Sequence, residues 1–84
     1  MAVRIDNRLP SSDYRRYVDQ AVKAAIGNRD GDWVVFVRDC PEIAEWWLSI
    51  EGPNGFNWQR EFLEPEQSGR FIRQQVERHL PSAA

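Results

Sequence analysis

Residues 45–63 read EWWLSIEGPNGFNWQREFL, and this stretch decides the fold. Two runs rich in aromatic and β-branched residues flank GPNG, a combination that is typical of a β-hairpin. Pro53 suits the second position of a type I turn, Asn54 the third, and Gly55 the left-handed position that follows. The stretch therefore predicts a hairpin with a three-residue loop and a bulge at the glycine.

The hydrophobic pattern selects the register of this hairpin. A three-residue loop pairs Ile50 with Trp58, so that apolar residues meet on one face. A two-residue loop would pair Ile50 with Gln59 and mix polar and apolar residues on both faces, so we reject it. The accepted register predicts a core face that consists of Trp46, Leu48, Ile50, Phe56, Trp58 and Phe62.

The other face of the hairpin is polar and acidic but contains a tryptophan. Neighbouring residues of a strand point to opposite faces, so Trp47 points away from the core that holds Trp46. A tryptophan on such a face is typical of a protein contact. The contact surface that we predict consists of Trp47, Ser49, Glu51, Gln59, Glu61 and Leu63.

The run WVVFVR at 33–38 predicts the strand before the hairpin, and it is apolar on both faces. Depending on its register, either Val34 and Phe36 or the odd-numbered residues of the run lie beside Trp47. Both choices give a contiguous apolar patch. The patch then serves either a partner, including a second copy of the chain, or the chain's own N-terminal segment, residues 1–10.

Two amphipathic helices flank the strands. The first follows Pro10-Ser11-Ser12, a helix stop with a capping hydroxyl, and it ends at Gly27. The second opens at Pro65 or nearer Ser68, and apolar residues recur in both helices at spacings of three and four. Each helix therefore has one apolar face to bury against the sheet.

These elements predict an α+β fold of αβββα order, in which two helices cover one face of a three-stranded antiparallel meander. We assign residues 11–80 to a single domain. The N-terminal segment 1–10 forms either a short edge strand or a flexible end, since Val3 and Ile5 alternate with charged residues. Residues 81–84 follow a helix-ending proline, and we predict a flexible tail there.

Composition restricts the classes of function. The 84 residues are 42% hydrophobic and carry a net charge of −2, which is ordinary for a globular domain and disfavours nucleic acid as a partner. No apolar run is long enough to span a bilayer, and MAVRIDNRLP lacks the apolar core of a signal peptide. A lone Cys40 fits a reducing compartment, so we expect a cytoplasmic protein without a membrane partner.

The residues that most often carry catalysis are scarce. Cys40 lies in a predicted turn and His79 at the end of the last helix, so nothing places the thiol beside a base. One histidine and one cysteine also give no metal-ligand spacing. We therefore expect a non-enzymatic protein that needs no cofactor or metal.

The order helix, three strands, helix resembles the double-stranded-RNA-binding domain over roughly residues 11–80. That resemblance implies contacts from positive residues at the start of the second helix to RNA phosphates, but Glu64 and Glu66 lie there instead. The chain is also similar in general character to many small bacterial proteins of unknown function. The alternative function, nucleic-acid binding, would use a helix-surface stripe of Arg15, Arg16, Lys23, Arg70 and Arg73.

Overall fold

The computed structural model describes residues 2–81. The strands are β1 (Ala2–Asn7), β2 (Asp32–Cys40), β3 (Glu45–Glu51) and β4 (Asn57–Leu63), and the helices are α1 (Ser12–Ile26) and α2 (Gly69–His79). Short 3-10 turns occupy Pro41–Ile43 and Glu64–Glu66, and Pro53–Gly55 form the loop between β3 and β4. Apart from Pro81, the predicted tail 81–84 lies outside the described residues.

The four strands form one mixed sheet in the order β1-β2-β3-β4. The predicted meander is confirmed, because β2, β3 and β4 pair antiparallel in sequence. The N-terminal segment adds β1, which pairs parallel to β2 with Val3 opposite Trp33. The α+β fold is thus as predicted, with an additional strand at the N-terminal end of the chain. This strand extends the sheet sideways and does not fold over the face that holds Trp47.

The predicted hairpin register is confirmed, since Ile50 lies opposite Trp58 and the Gly52 amide donates to the Phe56 carbonyl at 2.9 Å. The predicted conformation of Asn54 is wrong. Its φ and ψ of +60° and +31°, with a φ of +78° at Gly55, belong to a type I′ turn. Type I′ turns match the twist of the flanking strands, so Asn-Gly takes the turn and the bulge moves to the residues before it.

The odd-numbered residues of β2 enter the core. Trp33, Val35 and Val37 are at most 1% exposed and face the helices. They pack with the apolar faces of the helices and of β3 and β4. The other buried residues of this core are Leu9, Val18, Ala21, Val22, Ala25, Ile26, Trp46, Leu48, Ile50, Phe62, Ile72, Val76 and Leu80.

Serine side chains cap both helices. The Ser11 hydroxyl accepts from the Tyr14 amide at 3.3 Å, and the Ser68 hydroxyl accepts from the Phe71 amide at 3.1 Å. Helix α2 therefore begins after Ser68, and Pro65 lies in a separate 3-10 turn. No helix within residues 2–81 has the length and apolarity that a membrane crossing requires.

Arg60 is a charged residue on the core side of β4, opposite Leu48. Its guanidinium lies 4.9 Å from the ring centre of Phe62 and 5.2 Å from that of Phe71. Nη2 donates to the Glu66 carboxylate at 2.8 Å, and the same carboxylate accepts from the Leu63 amide at 3.0 Å. Glu66 therefore neutralises a mostly covered cation and fixes the turn into α2.

We expect Glu66→Gln to lower the free energy of unfolding by about 1–2 kcal/mol, because one charge-assisted hydrogen bond is lost and the Arg60 charge is left uncompensated. Urea unfolding followed by circular dichroism measures this. Glu64→Gln removes the same charge from an exposed position in the same turn and should change stability by less than about 0.5 kcal/mol. Equal losses in the two variants would contradict the role of Glu66.

The Tyr17 hydroxyl joins α1 to the segment before α2 by donating to the Gln67 carbonyl at 2.8 Å. The Gln67 amide in turn donates to the Phe62 carbonyl at 3.0 Å and to the Ala44 carbonyl at 3.1 Å. Burial, with a smaller contribution from Tyr14, raises the pKa of Tyr17 above its ordinary 10.0. The fold therefore favours the neutral phenol.

Because the pKa is higher in the folded state, the contribution of Tyr17 to stability is complete below pH 10 and is lost as pH rises through the folded-state pKa. We expect Tyr17→Phe to cost about 1 kcal/mol at pH 7 and to flatten the alkaline decline in unfolding free energy. Thermal unfolding from pH 7 to 11 tests this, with Tyr14→Phe as the exposed control. A decline of wild-type steepness in Tyr17→Phe would contradict the assignment.

Candidate functional site on the open sheet face

The sheet face turned away from the helices is the candidate site, and we call it the open face. Since odd-numbered residues of β2 enter the core, Val34 and Phe36 share the open face with Trp47, and all three are half-buried. Phe36, opposite Ser49, is a diagonal neighbour of Trp47, and Val34 lies further along β2, opposite Glu51. Both α-helices within residues 2–81 lie on the other side. The open face comprises Arg4, Asp6, Arg8, Asp32, Val34, Phe36, Arg38, Cys40, Glu45, Trp47, Ser49, Glu51, Asn57, Gln59, Glu61 and Leu63.

One row of side chains crosses all four strands and is centred on Trp47. Trp47 pairs with Arg38 on β2 and with Glu61 on β4. Arg8, the first residue after β1, continues the row because its amide donates to the Val37 carbonyl at 3.0 Å. The row thus runs from two cations through an aromatic ring to a carboxylate.

The cationic end of this row is held in place by Asp6. The Asp6 carboxylate accepts from Arg8 Nε at 3.2 Å and from Arg38 Nη2 at 3.1 Å. Arg38 Nη1 also donates to the Asp6 carbonyl at 2.8 Å, and its guanidinium lies 5.5 Å from the ring centre of Phe36. The hydrogen bond from Arg8, followed by that from Arg38, lowers the pKa of Asp6 below its ordinary 3.8.

Charge is distributed unevenly over the open face. On the β1 and β2 half, three arginines outnumber the two aspartates, Asp6 and Asp32. On the β3 and β4 half, the charged residues are all glutamates: Glu45, Glu51 and Glu61. The face therefore has a positive half and a negative half, and Trp47 lies near the boundary.

The six residues predicted from the sequence lie together on the β3 and β4 half. Trp47 is half-buried, and Leu63 is 50% exposed at the end of β4. Ser49 is only 4% exposed, so it forms the floor of the face beneath its neighbours. The remaining three, Glu51, Gln59 and Glu61, are exposed.

Sequence reasoning missed the positive half of the site. Phe36 and Arg38 belong to a run that is apolar on both faces, which hid their orientation. Asp6 and Arg8 join the face only because β1 pairs with β2. The only sequence signal for them was the alternation of charged and apolar residues in the N-terminal segment.

The helix-surface arginines of the alternative site have mixed surroundings. Arg15 donates to the Leu9 carbonyl at 2.6 Å and so stabilises the connection between β1 and α1. Arg73 forms an ion pair of 2.6 Å with Glu77 one turn later. The other three residues of that set, Arg16, Lys23 and Arg70, are exposed.

Cys40 and His79 lie far apart. His79 stacks on Trp58, whose row meets β2 at Val35, five residues from Cys40. At about 3.3 Å per residue this separates the two side chains by roughly 16 Å along the sheet. Within residues 2–81, no three His, Cys, Asp or Glu side chains lie close enough together to bind a metal ion.

A groove of about 690 Å³ lies between the end of α1 and the hairpin loop, with Trp33 and Phe56 in its wall. Arg29, the cation that lines it, is bound to the helix end, where Nη1 donates to the Ala25 carbonyl at 2.6 Å and to the Ile26 carbonyl at 3.0 Å. The only cation among the described residues of the groove is therefore held by the helix end, and the other charged residue in its wall is the exposed Asp30.

Comparison with known proteins gives a likeness in fold alone. No family model matches the chain, and no curated protein matches it in sequence. Among solved structures, the N-terminal domain of Thermus thermophilus Protein Y superposes with a TM-score of 0.51 at 16% sequence identity. The superposition covers 92% of this chain and 93% of that one.

Proposed function

We propose that the chain is a small non-enzymatic, cytoplasmic protein-interaction module that binds its partner through the open face. The observation that carries this proposal is the half-buried apolar pair of Trp47 and its diagonal neighbour Phe36, which Val34 extends along β2, within a charged border. An aromatic anchor surrounded by polar groups is the usual anatomy of a protein contact, in which the anchor loses water and the border sets orientation.

The binding energy would come mainly from Trp47, because a buried indole at an interface contributes more than exposed polar neighbours. The border residues Glu51, Gln59 and Glu61 would align the partner, and Leu63 would extend the apolar contact. No step in this function requires a nucleophile, a cofactor or a metal ion.

Nucleic-acid binding through the helix surface is the alternative function. Three exposed cations, Arg16, Lys23 and Arg70, favour it. The net charge of −2 and the internal bonds of Arg15 and Arg73 weigh against it. The affinity for nucleic acid would fall steeply with salt concentration and would not change when Trp47 is replaced.

Co-purification from cells that express the chain separates these functions. An affinity-tagged wild type is compared with Trp47→Lys and with the double variant Arg70→Glu/Arg73→Glu. We expect Trp47→Lys to lose its bound protein, including untagged copies of the chain, while the double arginine variant retains it. Retention by Trp47→Lys, with loss of bound nucleic acid from the arginine variant, would favour the alternative.

A further inference from the structure

We infer that the partner of the open face is a second copy of the chain, bound face to face about a two-fold axis parallel to the strands. This inference rests on the proposed function and specifies its partner. It follows from the uneven charge of the face: the β1 and β2 half has an excess of arginine, and the β3 and β4 half carries only glutamate.

The direction of the axis follows from electrostatics. A two-fold axis parallel to the strands exchanges the two halves, so the positive half of each copy lies over the negative half of the other. An axis in the plane of the sheet and perpendicular to the strands would place each half over the same half of the second copy. Like charges brought together at an interface oppose association. Charge complementarity therefore selects the axis parallel to the strands.

The row centred on Trp47 shows the contacts that this axis creates. With the axis at the centre of the sheet, between β2 and β3, Arg8 meets Glu61 of the second copy. Arg38 lies opposite Trp47 of the second copy by its position on β2. Each dimer then contains two ion pairs and two arginine–tryptophan contacts, in which a cation approaches an aromatic face.

The size of the face sets the strength of the dimer. Four strands of about seven residues span roughly 19 Å by 23 Å, or about 440 Å² of projected area per copy. Even with side-chain relief, this lies near the lower end of specific interfaces, which bury about 1,200 Å² or more in total. We therefore expect a dissociation constant in the micromolar range, and aligned packing of the two sheets about 10 Å apart.

Charge exchange tests this geometry by sedimentation equilibrium. Arg8→Glu alone brings two carboxylates together at two places in the dimer, and Glu61→Arg alone brings two guanidinium groups together there. Each single variant should weaken association about tenfold. The double variant Arg8→Glu/Glu61→Arg, which keeps the net charge, should restore association to near the wild-type value. Arg70→Glu on α2 is the matched control and should have no effect. Circular dichroism confirms that each variant is folded.

Three results would overturn the inference. They are a monomeric wild type at millimolar concentration, single variants that associate like the wild type, or a double variant as weak as the single ones. The last result would show that Arg8 and Glu61 do not face each other across the interface. If the wild type is monomeric, the dimer is excluded, but the open face can still bind a different protein. Co-purification with the wild type and Trp47→Lys tests that function, so the two proposals can fail independently.

Discussion

Trp33→Ala is expected to lower the free energy of unfolding by about 3–5 kcal/mol, the usual cost of removing a buried large aromatic side chain. Trp33 is 1% exposed, and its ring packs edge-on against Phe56 with centres 5.7 Å apart. Its Nε1 also donates to the Asp30 carbonyl at 3.3 Å. Alanine would leave both a cavity and an acceptor without its donor.

A domain of this size has a total stability of roughly 4–13 kcal/mol, so this loss would leave the variant marginally folded. Urea unfolding followed by circular dichroism measures it. Trp47→Ala is the matched control, because it makes the same chemical change on the open face, where we expect a loss of about 1 kcal/mol. Similar losses in the two variants would contradict the assignment of Trp33 to the core and of Trp47 to the surface.

Gly52→Ala is the second large effect, and we expect a loss of about 2–3 kcal/mol from overpacking. A Cβ atom on Gly52 would lie 2.6 Å from Cε3 and 3.0 Å from Cη2 of the Trp33 ring. The backbone of Gly52 is extended, with φ of −139°, so alanine meets no conformational penalty there. The whole cost would come from displacing the buried indole.

Gly55→Ala separates this steric effect from backbone strain. Gly55 has a φ of +78°, but nothing lies within 4 Å of its added Cβ, so the cost should be about 1 kcal/mol of left-handed strain. Replacing Trp33 with leucine should relieve the clash, so Gly52→Ala should cost less in that background. A larger loss at Gly55 than at Gly52, or no coupling between Gly52 and Trp33, would contradict the account.

The hairpin could be predicted from the sequence because its two strands are neighbours in sequence. The GPNG segment limits the loop length, and only one register places Ile50 opposite Trp58 with apolar residues on a single face. The conformation of Asn54 was missed because two loops, each containing a bulge, give the same register. Strand pairing alone does not distinguish them.

The orientation of β2 and the pairing of β1 depend on distant contacts. Both faces of WVVFVR are apolar, so alternation carries no information about which residues enter the core. The N-terminal segment pairs with β2, from which the whole of α1 separates it in sequence. Parallel strands are not joined by a tight turn, so no turn motif marks them as partners. The positive half of the open face was therefore hidden, although its negative half was predicted residue by residue.

Sedimentation equilibrium of the wild type and Trp47→Lys, from about 1 μM to 1 mM, tests most directly whether Trp47 anchors contact with a second copy. We expect a reversible dimer for the wild type and a folded monomer for Trp47→Lys. Pairing through the exposed edges of β1 or β4 would leave this substitution without effect, because Trp47 lies on an interior strand. A wild type that stays monomeric, or a Trp47→Lys variant that dimerises equally well, would contradict the account.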